Sequence, residues 1–366
     1  VMTETILQAA AAQIAGVGDQ CAVGCVVGVE IDGERTVAVA GNTSTTRAAD
    51  AMSRATLHDV ASVSKVVATT TALHRLASEN QLDFDDEVSR FIPGFGGARD
   101  TTVRDLLRHR AGLWEWQPLY LTPEATDDPF RTIDALPLRY SPGHERHYSD
   151  LGFMTLGRLI STITGESLDK AVQSLVTEPL GLSHFGYGPV SSQVSTSSFG
   201  DAAEERMVRT SDPYPVSWSD AGFAWRTAPV RGTANDGNCA HAFDGVAGHA
   251  GIFSTVDSLL DVGATLSRAN DHPQLFLPEV TAEVFAEGPD SGQALGWRRT
   301  SLTVNGAPLP LLWHPGFTGA ALAFVPDRGI TAAFACNRLL ATTPSPTDAH
   351  WQHVLNALAT ILSNQE

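Results

Sequence analysis

The strand-forming runs of this chain lie at its two ends, and most of what separates them reads as helix or loop. Residues 24–31 and 36–40 are rich in valine, and Asp32-Gly33 between them is a hairpin turn signal. Strand character returns at 309–313, 319–325 and 329–336, with Asp327-Arg328-Gly329 turning between the last two. Residues 3–16 and 350–363 read as helices outside these runs. Within the middle, 102–109 reads as a short amphipathic helix stopped by Gly112, 150–163 as a helix closed by Gly165, and 168–176 as a third. Residues 190–240 are rich in Ser, Gly and Pro and are expected to form long loops. Strands at both ends with helices between predict an α+β fold, an α/β sandwich whose mainly antiparallel sheet is assembled from both termini and flanked by helices. The expected organisation is a single domain of two lobes. A sheet lobe takes about 1–60 plus 245–366, and an inserted, mainly helical lobe takes about 61–244. No internal repeat is present.

Composition narrows the function classes. With 43% hydrophobic and 18% charged residues, the chain has the balance of a folded protein, not a disordered one. A net charge of −17 argues against nucleic acid as a partner, because phosphate binding needs concentrated Lys and Arg. The same charge repels anionic membrane surfaces. No run approaches the roughly 18 apolar residues that a bilayer span requires. Four scattered cysteines (Cys21, Cys25, Cys239, Cys336) do not form a disulfide framework, and Val1-Met2-Thr3-Glu4-Thr5 shows neither a basic region nor an apolar run. Both features lead to the expectation of a cytoplasmic location.

The chemistry is concentrated at Ser62-Val63-Ser64-Lys65, which contains one of only two lysines in the chain. A serine three residues before a lysine puts both side chains on one helical face. The flanking residues, from Val66 to Leu76, carry almost no charge for two turns. A lysine in such surroundings is expected to have its pKa pushed down by lost hydration, leaving a neutral amine able to take the serine hydroxyl proton. Roughly one S-x-x-K is expected by chance in a chain of this length, and a second copy, Ser167-Leu168-Asp169-Lys170, does occur. Its charged neighbours describe a solvated helix face. Burial context therefore singles out Ser62 and Lys65. No metal and no cofactor is expected: H-E-x-x-H and paired-cysteine patterns are absent, as is the G-x-S-x-G of α/β-hydrolases.

Two further segments follow in order, Tyr148-Ser149-Asp150 and His314-Pro315-Gly316-Phe317-Thr318-Gly319, the second just ahead of a strand. This series resembles the serine β-lactamase and penicillin-binding-protein superfamily, in particular its class C-like branch of hydrolases, esterases and D-Ala-D-Ala carboxypeptidases. Residues 106–113 (Leu-Leu-Arg-His-Arg-Ala-Gly-Leu) look like that branch's LLxHxSGL turn, and Pro179-Leu180-Gly181-Leu182 like its PLGM element. Residues 245–255 are similar to the GVAGHAGLFST segment of penicillin-binding-protein 4B-like members. The resemblance implies a β-lactamase/transpeptidase-like fold and a covalent acyl-enzyme. In that reading Ser62 attacks a carbonyl, Lys65 takes its proton or keeps Tyr148 ionised, and Tyr148 serves as general base and then acid. The backbone N–H groups of Ser62 and Phe317 form the oxyanion hole, with Asp150, His314 and Gly316 on the substrate side.

Two positions depart from the pattern. Asp150 replaces the asparagine of Y-x-N, so it can only accept hydrogen bonds when ionised, and it favours the charged form of Lys65. His314 replaces the lysine of K-T-G and attracts a substrate carboxylate less than a fixed ammonium would. Both changes favour esters, small amides and peptides over β-lactams. A sensor that acylates without turnover, or an acyltransferase using the same serine, is the alternative. His249 has two open readings, a rim residue of the site or a loop histidine satisfied by backbone. Trp114, Trp116, Tyr120, Trp218 and Trp225 are candidates for an apolar acyl pocket. The expected partner is a small-molecule or peptide substrate, and the oligomeric state is left open.

Overall fold

In the computed structural model, which describes residues 1–46, 50–123 and 127–365, the two ends of the chain meet in one antiparallel sheet. Its strands are β1 (Gly24–Ile31), β2 (Glu34–Gly41), β3 (Arg298–Val304), β4 (Ala307–Gly316), β5 (Ala320–Val325) and β6 (Ile330–Cys336). They lie in the order β2-β1-β6-β5-β4-β3. The first hairpin turns at Asp32 and Gly33, both at positive φ, the geometry that matches strand twist. It docks on the last strand, with Val27 opposite Phe334 and Val29 opposite Ala332.

The central strands are buried on both faces, which is why they read as nearly continuous apolar runs. Alternate residues go to different cores. Cys25, Val27, Ala321, Ala323, Ala332 and Phe334 face the helices α1 (Met2–Ile14) and α5 (Thr347–Ser363) through Leu7, Ile14, Trp351 and Leu358. Val26, Leu322, Phe324 and Ala333 face the opposite way. There they meet Leu259 and Leu260 of α4 (Val256–Ser267) and, beyond it, α2 (Thr71–Ser78) and α3 (Asp150–Thr164). The expected α+β sheet-and-helix architecture is the one observed.

Three local expectations are corrected. The helix at 102–109 runs only over Val103–Leu107, opened by a Thr102/Asp105 capping box. It is ended by His109 in the left-handed region (φ 58°), before Gly112 is reached. The stretch 190–240 is not all loop: Thr196–Phe199 pairs with Pro229–Arg231, and Ala202–Thr210 is a helix of good helix formers. Strand β3 was not anticipated, because only Leu302 of its seven residues is buried and no alternation shows.

A small sheet positions the site. His58–Asp59 pairs with Ile252–Ser254, which also pairs with Phe185–Tyr187. The residues just before Ser62 and those just after His249 are thus hydrogen-bonded neighbours.

Candidate functional site

Ser62 sits in a 3-10 turn, Ala61–Val63, and is partly exposed. Asp59 shapes that turn by accepting from the Ala61 N–H (2.8 Å) and from the Asn235 N–H (2.6 Å). The regular helix expected around Lys65 is replaced by a wider π-helical stretch, Lys65–Thr70, before α2 begins. Threonines hold it open: Thr70 Oγ1 donates to the Lys65 carbonyl (2.9 Å) and Thr71 Oγ1 to that of Val66 (2.8 Å), each five residues back. Lys65 is fully buried at the floor. Its Nζ donates to Ser62 Oγ at 2.8 Å and to the His249 carbonyl at 3.2 Å, and lies 2.7 Å from Asp150 Oδ1.

That last contact overturns the expected neutral amine. Burial does disfavour the ammonium, but the charge of Asp150, reinforced by Tyr148, outweighs it, and Lys65 is raised above the ordinary lysine range. The ion pair therefore favours the charged form of Lys65.

Tyr148 lies beside it, with Lys65 Nζ 5.0 Å from the ring centroid. The segment carrying Tyr148 is pinned by His109, a residue whose role the sequence did not disclose. The His109 carbonyl accepts from His147 N (2.8 Å), its Nδ1 accepts from Ser149 N (3.0 Å), and its ring packs 4.6 Å from that of Tyr148. Burial, then the charges of Arg146 and Lys65, push its imidazole well below the usual range, so Nδ1 is free to accept. Ser149 caps α3 through the Gly152 N–H, which leaves Asp150 in the first turn with its carboxylate against Lys65.

His249 fits neither of its two readings. It is buried, and its Nε2 meets a carboxylate, Asp236 Oδ1, at 2.8 Å. Asp236 was not anticipated; the signal was an N-cap aspartate, which accepts from Cys239 N and starts the helix Gly237–Ala242. The glycine before His249 lets this segment lie against α3, since a Cβ on Gly248 would come 2.0 Å from the Phe153 carbonyl. Asp150, Asp236 and His249 bring potential ligand atoms within 4.8 Å of one another. The Lys65 ammonium stands among them and supplies the positive charge that such a trio would hold.

Strand β4 closes the other side. A Cβ on Gly316 would meet the Val60 carbonyl at 2.3 Å, so the glycine lets the strand end lie against the turn that presents Ser62. Thr347 Oγ1 donates to the Gly316 carbonyl (2.8 Å), and Arg338 Nε to that of Phe317 (2.7 Å), which fixes the backbone on either side of the Phe317 N–H, while Thr318 Oγ1 donates to the Asp59 carbonyl (2.7 Å). His314 is 1% exposed. Burial, then the charges of Arg298 and Lys65, push it well below the usual histidine range, so it is neutral. A cleft of about 670 Å³ opens over Ser62, Tyr148, Asp150 and Phe317 and continues along the helix Ala202–Thr210. Of the five aromatic candidates, Trp116 lines this cleft. Tyr120 is turned to Glu204, and the indoles of Trp114 and Trp225 donate to Pro137 and Asp220. The exposed pair Ser167 and Lys170 lies outside the cleft.

An antiparallel sheet fed by both termini, with a Ser–Lys contact set against the end of β4, defines the β-lactamase/transpeptidase-like class of serine hydrolases. A family model described as Beta-lactamase matches residues 8–357, and the chain belongs to that family. It is 30% identical over 318 residues to an N-acetylmuramyl-L-alanine amidase of Bacillus subtilis (strain 168), a match spanning 78% of this chain and 69% of the relative. It is 29% identical over 309 residues to a putative D-alanyl-D-alanine carboxypeptidase of Escherichia coli (strain K12), spanning 77% and 69%. Among solved structures, EstCE1, a hydrolase with promiscuous acyltransferase activity, superposes with a TM-score of 0.71 at 21% identity over 98% of each chain. Among the described residues no helix is long and apolar enough to cross a membrane.

Proposed function

We propose that this protein hydrolyses esters, small amides or peptides through a covalent acyl-enzyme on Ser62. The observation that carries the reading is the position of Lys65 Nζ, which touches Ser62 Oγ (2.8 Å) and Asp150 Oδ1 (2.7 Å) at the floor of an open cleft. A charged lysine there cannot accept the serine proton, but it stabilises the oxyanions that form as the proton leaves. Tyr148 is then the group that takes the Ser62 proton during attack and gives it to the leaving oxygen or nitrogen. The N–H groups of Ser62 and Phe317 receive the negative charge on the tetrahedral carbonyl oxygen. In the second half, water loses its proton to Tyr148 and attacks the acyl carbon; the Ser62–acyl bond breaks, and Ser62 regains the proton. Burial keeps His314 neutral, so the position itself offers no fixed charge to a carboxylate, which supports esters, small amides and peptides as the substrates to test first.

The test is intact-mass spectrometry of the protein mixed with a p-nitrophenyl ester. A transient acyl adduct on Ser62 with continuing product release is expected. Tyr148→Phe should keep the fold and lose about 10²–10⁴ in turnover. A lasting adduct means a sensor, and a Tyr148→Phe rate within a few-fold of wild type removes Tyr148 from the mechanism.

A further inference from the structure

Acylation of Ser62 draws on Lys65, Tyr148 and Asp150 and leaves Asp236 without a task. Yet Asp236 lines the same cleft as Ser62 and Tyr148, with 20% of its side chain exposed. One buried carboxylate sets its place. Asp59 Oδ1 accepts from the N–H of Ala61, next to Ser62, and Asp59 Oδ2 from the N–H of Asn235, next to Asp236. A single side chain thereby fixes the nucleophile and Asp236 against each other.

The Asp236 carboxylate is oriented as firmly as its backbone. Its Oδ1 accepts from His249 Nε2 and from Cys239 N, both at 2.8 Å. Burial raises the Asp236 carboxyl, but His249, then the Cys239 N–H and the charge of Lys65, outweigh burial and hold it below the usual carboxylate range. An ionised carboxylate can only accept, so Nε2 is a protonated nitrogen of the His249 ring. His249 also ties this acid to the reacting centre, because its carbonyl accepts from Lys65 Nζ (3.2 Å). Among the described residues no hydrogen bond reaches Asp236 Oδ2. With Oδ1 occupied, Oδ2 is the oxygen left for the cleft, a fixed anionic acceptor on the Ser62 side. Asp150 Oδ1 is instead taken up by Lys65.

We propose, building on the acyl-enzyme reading above, that Asp236 Oδ2 accepts a hydrogen bond from the water that releases the acyl group from Ser62. A water attacking a carbonyl has two O–H bonds and must point a lone pair at the carbon. One O–H goes to Tyr148, which takes its proton; the other, donated to Asp236, fixes the direction of the lone pair. The water oxygen bonds to the acyl carbon, the Ser62 ester bond breaks, and Ser62 Oγ receives the proton from Tyr148. The second O–H stays on the released acid, so Asp236 gains no proton.

The experiment follows p-nitrophenyl butyrate by stopped flow and by intact mass. Asp236→Asn keeps an Oδ1 for His249 and Cys239 but puts an NH2 donor where Oδ2 stood. Acylation, read as the nitrophenolate burst, should stay near the wild-type rate, while deacylation slows about 10²-fold and the Ser62 adduct accumulates. Asp236→Ser, which keeps a capping oxygen and lacks a second one, should show the same split if the asparagine variant folds poorly. Hydroxylamine, a stronger nucleophile than water, should cleave the accumulated adduct. Equal slowing of both steps, an unchanged deacylation rate, or an adduct that resists hydroxylamine overturns the proposal. A wild type that takes no acyl group on Ser62 overturns both this proposal and the reading beneath it. A Tyr148→Phe protein with normal turnover, beside an Asp236→Asn protein that accumulates adduct, removes Tyr148 as base and leaves the water site standing.

Discussion

Ser62–Lys65 and Ser167–Lys170 share a spacing and differ in everything that gives it chemistry. Ser167 is an extended N-cap residue in front of the helix Leu168–Val172, and both it and Lys170 are exposed. Ser62 lies in a turn shaped by Asp59, and Lys65 opens a π-helical stretch that holds its Nζ 2.8 Å from the serine. Around the first lysine burial has removed water and Asp150 has restored the charge; around the second, water does all the screening. A four-residue pattern therefore specifies a site only when tertiary structure has fixed the protonation and direction of its lysine.

The contrast is broken or kept first by covalent labelling. Ser62→Ala should abolish reaction with a fluorophosphonate probe, and Ser167→Ala should leave it at the wild-type level. Labelling that survives the first change, read by intact mass, would remove Ser62 as nucleophile.

The parts of this contrast that were legible in the sequence are those set by burial alone. Strands β1, β5 and β6 stood out because both faces are covered, and the apolar run after Ser62 announced a buried lysine. Strand β3 was hidden by its exposed edge, and the helix Ala202–Thr210 by the Ser-, Gly- and Pro-rich residues around it. For Lys65 the apolar flank and Asp150 pull in opposite directions, and which of them prevails depends on the 2.7 Å approach of Asp150 Oδ1 that only the folded chain supplies. Asp150 had been assigned to the substrate side, yet its Oδ1 is directed at Lys65, and its companion Asp236 reaches the cluster through His249. Side-chain direction across elements distant in sequence is not written in spacing. The π-helical widening is equally invisible, since it depends on hydroxyl groups choosing carbonyls five residues back.

A second measurement sharpens the role of burial. Asp150→Asn would leave the Lys65 ammonium in the interior without its carboxylate. Breaking a buried pair from one side typically costs about 3–5 kcal/mol, and Lys65 is fully buried while Asp150 is 17% exposed. Denaturant unfolding should show a loss near that size, together with slower acylation. Lys170→Ala, on the exposed copy, should move stability by less than about 0.5 kcal/mol. A silent Asp150→Asn would mean that Lys65 is content as a neutral amine.

The smallest expected effect tests the same physics with the opposite sign. Glu204 lies on the cleft-lining helix, accepts from Tyr120 Oη and from Gly237 N (2.6 Å each), and among the described residues has no ion-pair partner of the kind Asp150 has in Lys65. Burial, then the charge of Asp236, pushes its carboxyl up to about 8. Between its ordinary value of 4.5 and about 8, the unfolded chain has released a proton that the folded chain keeps. Stability must therefore fall as pH rises through that window. Even one pKa unit of that displacement is worth about 1.4 kcal/mol. Glu204→Gln cannot titrate, so its stability should decline less than that of wild type between pH 5 and 8, and the two curves should draw together toward pH 5. Parallel curves across the window would show that Glu204 is ionised when folded, and that burial beside a second carboxylate has not displaced its proton equilibrium as burial beside Asp150 has displaced that of Lys65.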